Sequence, residues 1–150
     1  MSQVADVGLV RVDLKIPIEA SAARVWASLV DDTDAWWLED YRAVPGGRLT
    51  LEAFAGGRLV EETGDKAGIL WGQVIAITPG ESLNLSAQLA PPYAGPATSL
   101  LHLKIVADGE ERSVLEVSDS IFGLVTEKTA GAVESGWRAL FGGLKSHAEG

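Results

Sequence analysis

Trp26, Trp36, Trp37, Trp71 and Trp137 give this 150-residue chain five indoles. An indole is a large flat wall carrying one hydrogen-bond donor. Aromatic walls with a few polar groups are the usual lining of a site for a small apolar molecule. The same rings also serve as plain core filling, and that reading is favoured for Trp26, which is in phase with Val25 and Leu29. Trp36 and Trp37 are adjacent, so one helical turn cannot point both inward. One is expected at the mouth of a cavity and the other exposed or at an interface. The wall is expected to draw on Trp37, Phe54, Trp71, Phe122, Trp137 and Phe141, with Glu62 and His102 as candidate polar groups.

Few residues are spaced for bond-making chemistry. Glu61, Glu62 and Asp65 cluster at a hairpin end, and Glu39 and Asp40 follow the tryptophan pair. Paired carboxylates can do acid–base work, but a solvated face is the commoner use of such runs. Glu52 and Glu62 share a face of the hairpin if the register allows. His102 has no visible partner and reads as a surface or rim histidine. His147 reads as a solvated tail residue. Two distant histidines without cysteine make no metal-ligand spacing, and no metal or cofactor is expected. Ser118 and Ser120 lack the Gly-x-Ser-x-Gly setting of a hydrolase nucleophile. No phosphate-cradling glycine motif is present.

The totals exclude more. The net charge is −9, so nucleic acid, which needs clustered Lys and Arg, is not an expected partner. The acidity suits solubility or a basic partner, and a homodimer is compatible with it. There is no cysteine, hence no disulfide or thiolate chemistry. No run of 18 apolar residues exists, so no membrane span is expected. The first residues lack the basic and apolar blocks of a signal peptide, and the default expectation is a cytoplasmic protein.

What must position these side chains is one domain, residues 1–150, organised around its last stretch. Across residues 124–147, Ala130, Val133, Trp137, Leu140, Phe141 and Leu144 recur at spacings of three and four. That spacing predicts a helix of about six turns with one apolar stripe. Before it, residues 9–16 alternate as a half-buried strand that Pro17 is expected to end. Ser21 offers an N-cap for a short helix, and Asp31, Asp32 and Asp34 open a second helical turn. From Pro45 onward the grammar is strands: 48–54, 58–63, 69–77, 83–89, 99–106 and 112–120, broken by Gly pairs, Pro79-Gly80, the breaker-rich segment 90–96 and Asp108-Gly109. On the fifth strand, Asn84, Ser86 and Gln88 read as the outer face, because Leu83, Leu85 and Leu89 need the core. Glycines inside the last helix (131, 136, 142 and 143) imply close approach or a kink near 142–143, or fraying after Phe141.

The order is strand, two short helices, six strands, one long helix. Seven strands at about 4.8 Å make a sheet roughly 33 Å wide, whereas a helix is only about 10–12 Å across. One helix covers such a sheet only if the sheet curls around it. The space beside the helix is then filled by large side chains or left as a cavity.

Four stretches in this order resemble the START-like, or Bet v 1-like, SRPBCC superfamily: 18–26 (IEASAARVW), 71–79 (WGQVIAITP), 114–123 (VLEVSDSIFG) and 136–145 (GWRALFGGLK). Within it the chain is similar to the branch named after the activator of Hsp90 ATPase. That branch often carries a Thr-His pair late in its last strand, and Ser118-Asp119 stands near that place. The resemblance implies an α+β helix-grip fold (β-α-α-β6-α), with a curved seven-stranded antiparallel sheet, a long C-terminal helix and a cavity between. It implies a binder of a small hydrophobic or aromatic molecule, with two alternatives. One is an enzyme of the polyketide cyclase or aromatase type; the other is a partner-binding protein of the Hsp90-activator type.

Overall fold

In a computed structural model, which describes residues 1–91 and 95–150, the chain forms seven strands and three helices. Residues 92–94, inside the breaker-rich segment, lie outside the described residues. The order is β1 (Gly8–Ile18), α1 (Ala22–Asp31), α2 (Thr33–Trp36), β2 (Arg48–Leu51), β3 (Arg58–Glu62), β4 (Gly68–Thr78), β5 (Ser82–Leu89), β6 (Ala97–Ala107), β7 (Ser113–Gly123) and α3 (Glu127–Glu149). A 3-10 turn, Glu39–Tyr41, lies between α2 and β2. The strands make one antiparallel sheet in the order β1-β7-β6-β5-β4-β3-β2. This is the expected helix-grip α+β architecture, with the curved sheet wrapped around α3.

The sheet curls because β4 is irregular twice. Its register shifts opposite Leu59/Val60 of β3 and again between Val74 and Ala76 against β5. Each bulge adds an unpaired residue and bends its strand. The first sits beside Trp71. The second lets Val74 and Ile77, three positions apart, both stand opposite buried leucines of β5, Leu85 and Leu83.

Strict alternation fills the concave side elsewhere. Val10, Val12, Leu14 and Ile16 of β1, Leu101, Leu103 and Ile105 of β6, and Leu115, Val117 and Ile121 of β7 are all buried. Asn84, Ser86 and Gln88 face outward, as expected. Pro17 does not end β1: it stands opposite Val114, and pairing continues to Ile18. β1 is an edge strand, so a missing N–H can face away from the ladder at no cost.

The apolar stripe of α3 divides in two. Leu140, Phe141, Leu144 and Ala148 are buried, whereas Ala130, Val133 and Trp137 are only partly so. Complete burial of a side chain such as Leu144 contributes about 1.5–3 kcal/mol. The helix does not fray after Phe141. Its C-terminal carbonyls at His147 and Ala148 accept from the Arg24 guanidinium, and Lys145 donates to the Pro17 carbonyl at 3.1 Å. A cation there also suits the helix dipole. His147 is not a solvated tail residue: its Nδ1 lies 3.0 Å from the buried Ser28 hydroxyl of α1. At the other end Thr126 and Thr129 form a capping box.

Candidate functional site

Between the first half of α3 and the concave sheet lies a cavity of about 220 Å³. A 150 Å³ apolar cavity already admits benzene, so this space suits a compact ring system. Its wall is mostly carbon. Leu59, Leu85, Leu89, Leu101, Ile121 and Val133 border it together with Trp37, Trp71 and Trp137, and Tyr41 stands at the rim.

The aromatic rings form a connected chain rather than isolated walls. Trp71 lies against Trp37 (5.5 Å between centroids), Trp37 against Trp36 (5.7 Å), Trp36 against Phe141 (6.1 Å) and Phe141 against Trp137 (5.2 Å, stacked at 20°). Such tilted and offset pairs are each worth about 0.5–1.5 kcal/mol beyond burial. Both ends of the chain, Trp71 and Trp137, reach the cavity. Trp36 and Trp37 are both buried, at 4% and 6% exposure, contrary to the expectation that adjacent tryptophans must diverge. The reason is local: α2 ends at Trp36, and Trp37 takes an extended backbone (φ −68°, ψ 119°), so helical phasing no longer separates them.

Each end of the chain is tied to a buried acid. On β7, Asp119 is 1% exposed. Its Oδ2 accepts from the Trp137 indole N–H at 2.8 Å and its Oδ1 from the Ser99 hydroxyl at 2.6 Å. Asp119 and Ser99 both border the cavity. Burial pushes the Asp119 carboxyl above its ordinary value, outweighing the two hydrogen bonds, which pull it down. On β3, Glu61 is wholly buried. Its Oε1 accepts from the Ala43 N–H (2.9 Å) and the Trp71 indole (3.0 Å), and its Oε2 from the Val44 N–H (2.8 Å). A Cβ on Gly47 would stand 2.5 Å from Glu61 Oε2, so glycine there makes room for the carboxylate.

The loop that carries Tyr41 is therefore fastened from two sides. Glu61 holds residues 43 and 44. The largely buried Arg42 donates to Asp34 Oδ1 (2.6 Å) and to the carbonyls of Asp34, Trp37 and Gly47. Burial pushes the Asp34 carboxyl up, but Arg42, the Leu49 N–H and the charge of Arg48 together hold it below its ordinary value.

Of the residues expected at the wall, Trp37, Trp71 and Trp137 border this cavity. Phe141 lies one layer deeper, against a separate void of about 30 Å³ that also touches Trp36. Phe54 and Phe122 do not reach it. β2 stops at Leu51, which leaves Phe54 in a turn, 58% exposed. Phe122 follows the inward Ile121 and so points outward, 46% exposed. Glu62 is also outside: it follows the inward Glu61, is exposed, and stands opposite Arg48 in the β2–β3 ladder. His102 sits on the outer face, with Nδ1 2.7 Å from Asn84 Oδ1. Among the described residues no cluster of His, Asp and Glu is placed to hold a metal ion, and no helix is long and apolar enough to cross a membrane.

Sequence reasoning passed over Asp119, Ser99 and Glu61 as site residues. The signal for them was phase. Asp119 falls in the inward register Leu115, Val117, Asp119, Ile121, Ser99 in that of Leu101 and Leu103, and Glu61 two residues after the inward Leu59. A polar residue in an apolar register is the informative exception.

No protein-family profile matches the chain, and no curated protein matches it in sequence. Solved structures do match. Ara h 8.0201 superposes with a TM-score of 0.70 at 12% identity, over 94% of this chain and 98% of that one. DynU16, from the dynemicin biosynthetic locus, gives 0.68 at 19% identity, over 94% of this chain but 47% of its own length. The anthrahydroquino-Gama-pyrone synthase Txn09 gives 0.53 at 21% identity, over 73% of this chain and 75% of that one. At these identities the likeness concerns backbone alone, and what it establishes is the fold: this chain has the helix-grip α+β architecture that these structures share.

Proposed function

We propose that the protein binds a small hydrophobic or aromatic molecule in the cavity beneath the first half of α3. The observation that carries this reading is the lining itself: about 220 Å³ walled by aliphatic and aromatic carbon, with polar groups confined to Asp119, Ser99 and the rim. A fold that needed these rings only as filler would close over them. Here Trp71 and Trp137 are held against the open space by hydrogen bonds to buried acids. The experiment is tryptophan fluorescence titration with single- and double-ring aromatic compounds, repeated on Ala87→Phe. Ala87 lines the cavity, so a phenyl ring there occupies the guest's space. Saturable quenching in the wild type and its loss in Ala87→Phe are expected. Absence of quenching by every compound, with the fold intact, overturns the reading.

A second reading, an enzyme of the cyclase or aromatase type, is favoured by one observation. Asp119 is a buried carboxyl with a raised pKa at the cavity wall, which is how folds poise a general acid or base near neutrality. Among the described residues no second titratable group stands beside it inside the cavity, so binding remains the leading reading. A chaperone-partner role rests on the sequence stretches alone and draws nothing from the cavity.

A further inference from the structure

The polar groups of the cavity are unbalanced. Three indole N–H donors border it, and all three are engaged within the protein: Trp37 with the Tyr41 carbonyl at 3.2 Å, Trp71 with Glu61, and Trp137 with Asp119. The Ser99 hydroxyl donates to Asp119. Tyr41 is 38% exposed at the rim. Among the described residues the interior thus has no spare donor, while Asp119 has lone pairs beyond the two in use. Both of its oxygens accept. The two donors, the Ser99 hydroxyl and the Trp137 indole, favour the ionised form, against the burial that disfavours it. The site is built for a carboxylate, yet among the described residues no Lys, Arg or His borders the cavity. A buried anion without a counter-charge is costly. The surrounding ring faces are themselves electronegative and attract cations.

We infer that the cavity selects a flat aromatic amine in its ammonium form, with the ammonium donating to Asp119 and the ring lying among Trp37, Trp71 and Trp137. The inference rests on the reading of this cavity as a small-molecule site and adds the ligand's charge. An anionic ligand of the same shape meets a carboxylate and no donor. A neutral alcohol can donate one hydrogen bond to the carboxylate but brings no opposite charge, so the charge of Asp119 stays uncompensated.

The test is calorimetric titration of the full chain with three matched probes, 2-naphthylmethylamine, 2-naphthylmethanol and 2-naphthoate, near neutral pH. The amine is expected to bind at least about tenfold tighter than the alcohol, because only the ammonium adds an opposite charge to its hydrogen bond with the carboxylate, with no measurable heat from naphthoate. In Asp119→Asn the amine and alcohol should bind alike. The wild type gives a check that needs no variant. As pH falls through the titration of Asp119, amine affinity should drop while alcohol affinity stays level. Within the site, Ser99 of β6, Trp137 of α3 and the neighbouring Val12 and Leu101 carry no titratable group, and among the described residues that line the cavity Tyr41 at the rim is the one other titratable side chain. Equal binding of amine and alcohol overturns the charge selection and leaves the small-molecule reading standing. Naphthoate binding as tightly as the amine does the same, as does an amine preference that survives Asp119→Asn. Binding by none of the three overturns both.

Discussion

The indole N–H of Trp137 meets Asp119 Oδ2 at 2.8 Å, joining the long helix to the strand β7 beneath it through one hydrogen bond inside an otherwise apolar space. The bond fixes the ring that forms one wall of the cavity. It also accounts for a solitary acid in a row of buried aliphatic side chains. The same acid makes the stability of the protein depend on pH in a direction opposite to that of most carboxyls.

Asp119 has a raised pKa when folded and an ordinary one, about 3.9, when unfolded. Between those values the folded state holds the extra proton. Its contribution to stability is therefore full below about pH 4 and is lost as pH rises through the raised value. Asp119→Asn has no such loss. The difference in unfolding free energy between Asp119→Asn and wild type should shift in favour of the variant as pH rises from about 4 toward neutrality. Urea unfolding at several pH values checks this. Asp34, Glu52, Asp65 and Glu149, whose values are lowered, contribute in the opposite sense and cancel in the comparison.

Gly142 and Gly143 are neighbours in α3 with opposite surroundings. A Cβ on Gly142 meets open space, but one on Gly143 would stand 2.6 Å from the Trp36 carbonyl and 3.0 Å from the Leu38 side chain. Gly142→Ala should stabilise by about 0.5–1 kcal/mol through helix propensity. Gly143→Ala should destabilise by about 1–3 kcal/mol, because α3 must back away from the Trp36–Leu38 segment. Thermal unfolding of the two variants, measured side by side, reads the sign directly.

Glu61 accepts from three N–H groups and so requires both oxygens as acceptors. In Glu61→Gln an amide NH2 must face at least one of those donors. The cost is an unsatisfied buried donor, about 1–3 kcal/mol. Because Trp71 is one of the partners, the tryptophan emission should shift in the folded variant as well. A drop in melting temperature without a change in emission would place the amide NH2 against the Val44 N–H instead, with the Trp71 bond kept.

The strands and the long helix were legible because their apolar periods are clean: two in β1, β5, β6 and β7, and three-to-four in α3. The cavity was legible as a mismatch of widths. Its lining was legible only where phase was regular. Trp137 could be placed from the helix stripe, but Phe54 could not, since β2 ends three residues earlier than its apolar pattern suggests. Trp37 escaped helical phasing because the helix stops at its neighbour. Glu61 was grouped with the exposed Glu62 by adjacency, although strand alternation separates them. Asp119 was noticed through a family position rather than through its own register, which was the stronger signal.

The uneven burial along α3 has a dynamic consequence. From Leu140 onward the rod is anchored by packed side chains and by Arg24 and Lys145, whereas Val133, Gly136 and Trp137 before it border unfilled volume. Such a rod works as a cantilever. Amide protons early in it should exchange with deuterium well before those near Leu144, because the free energy of local opening tracks the apolar contacts broken. Filling the hollow with a guest should level that gradient from the near end, which makes the exchange profile a readout of occupancy that requires no label on the guest.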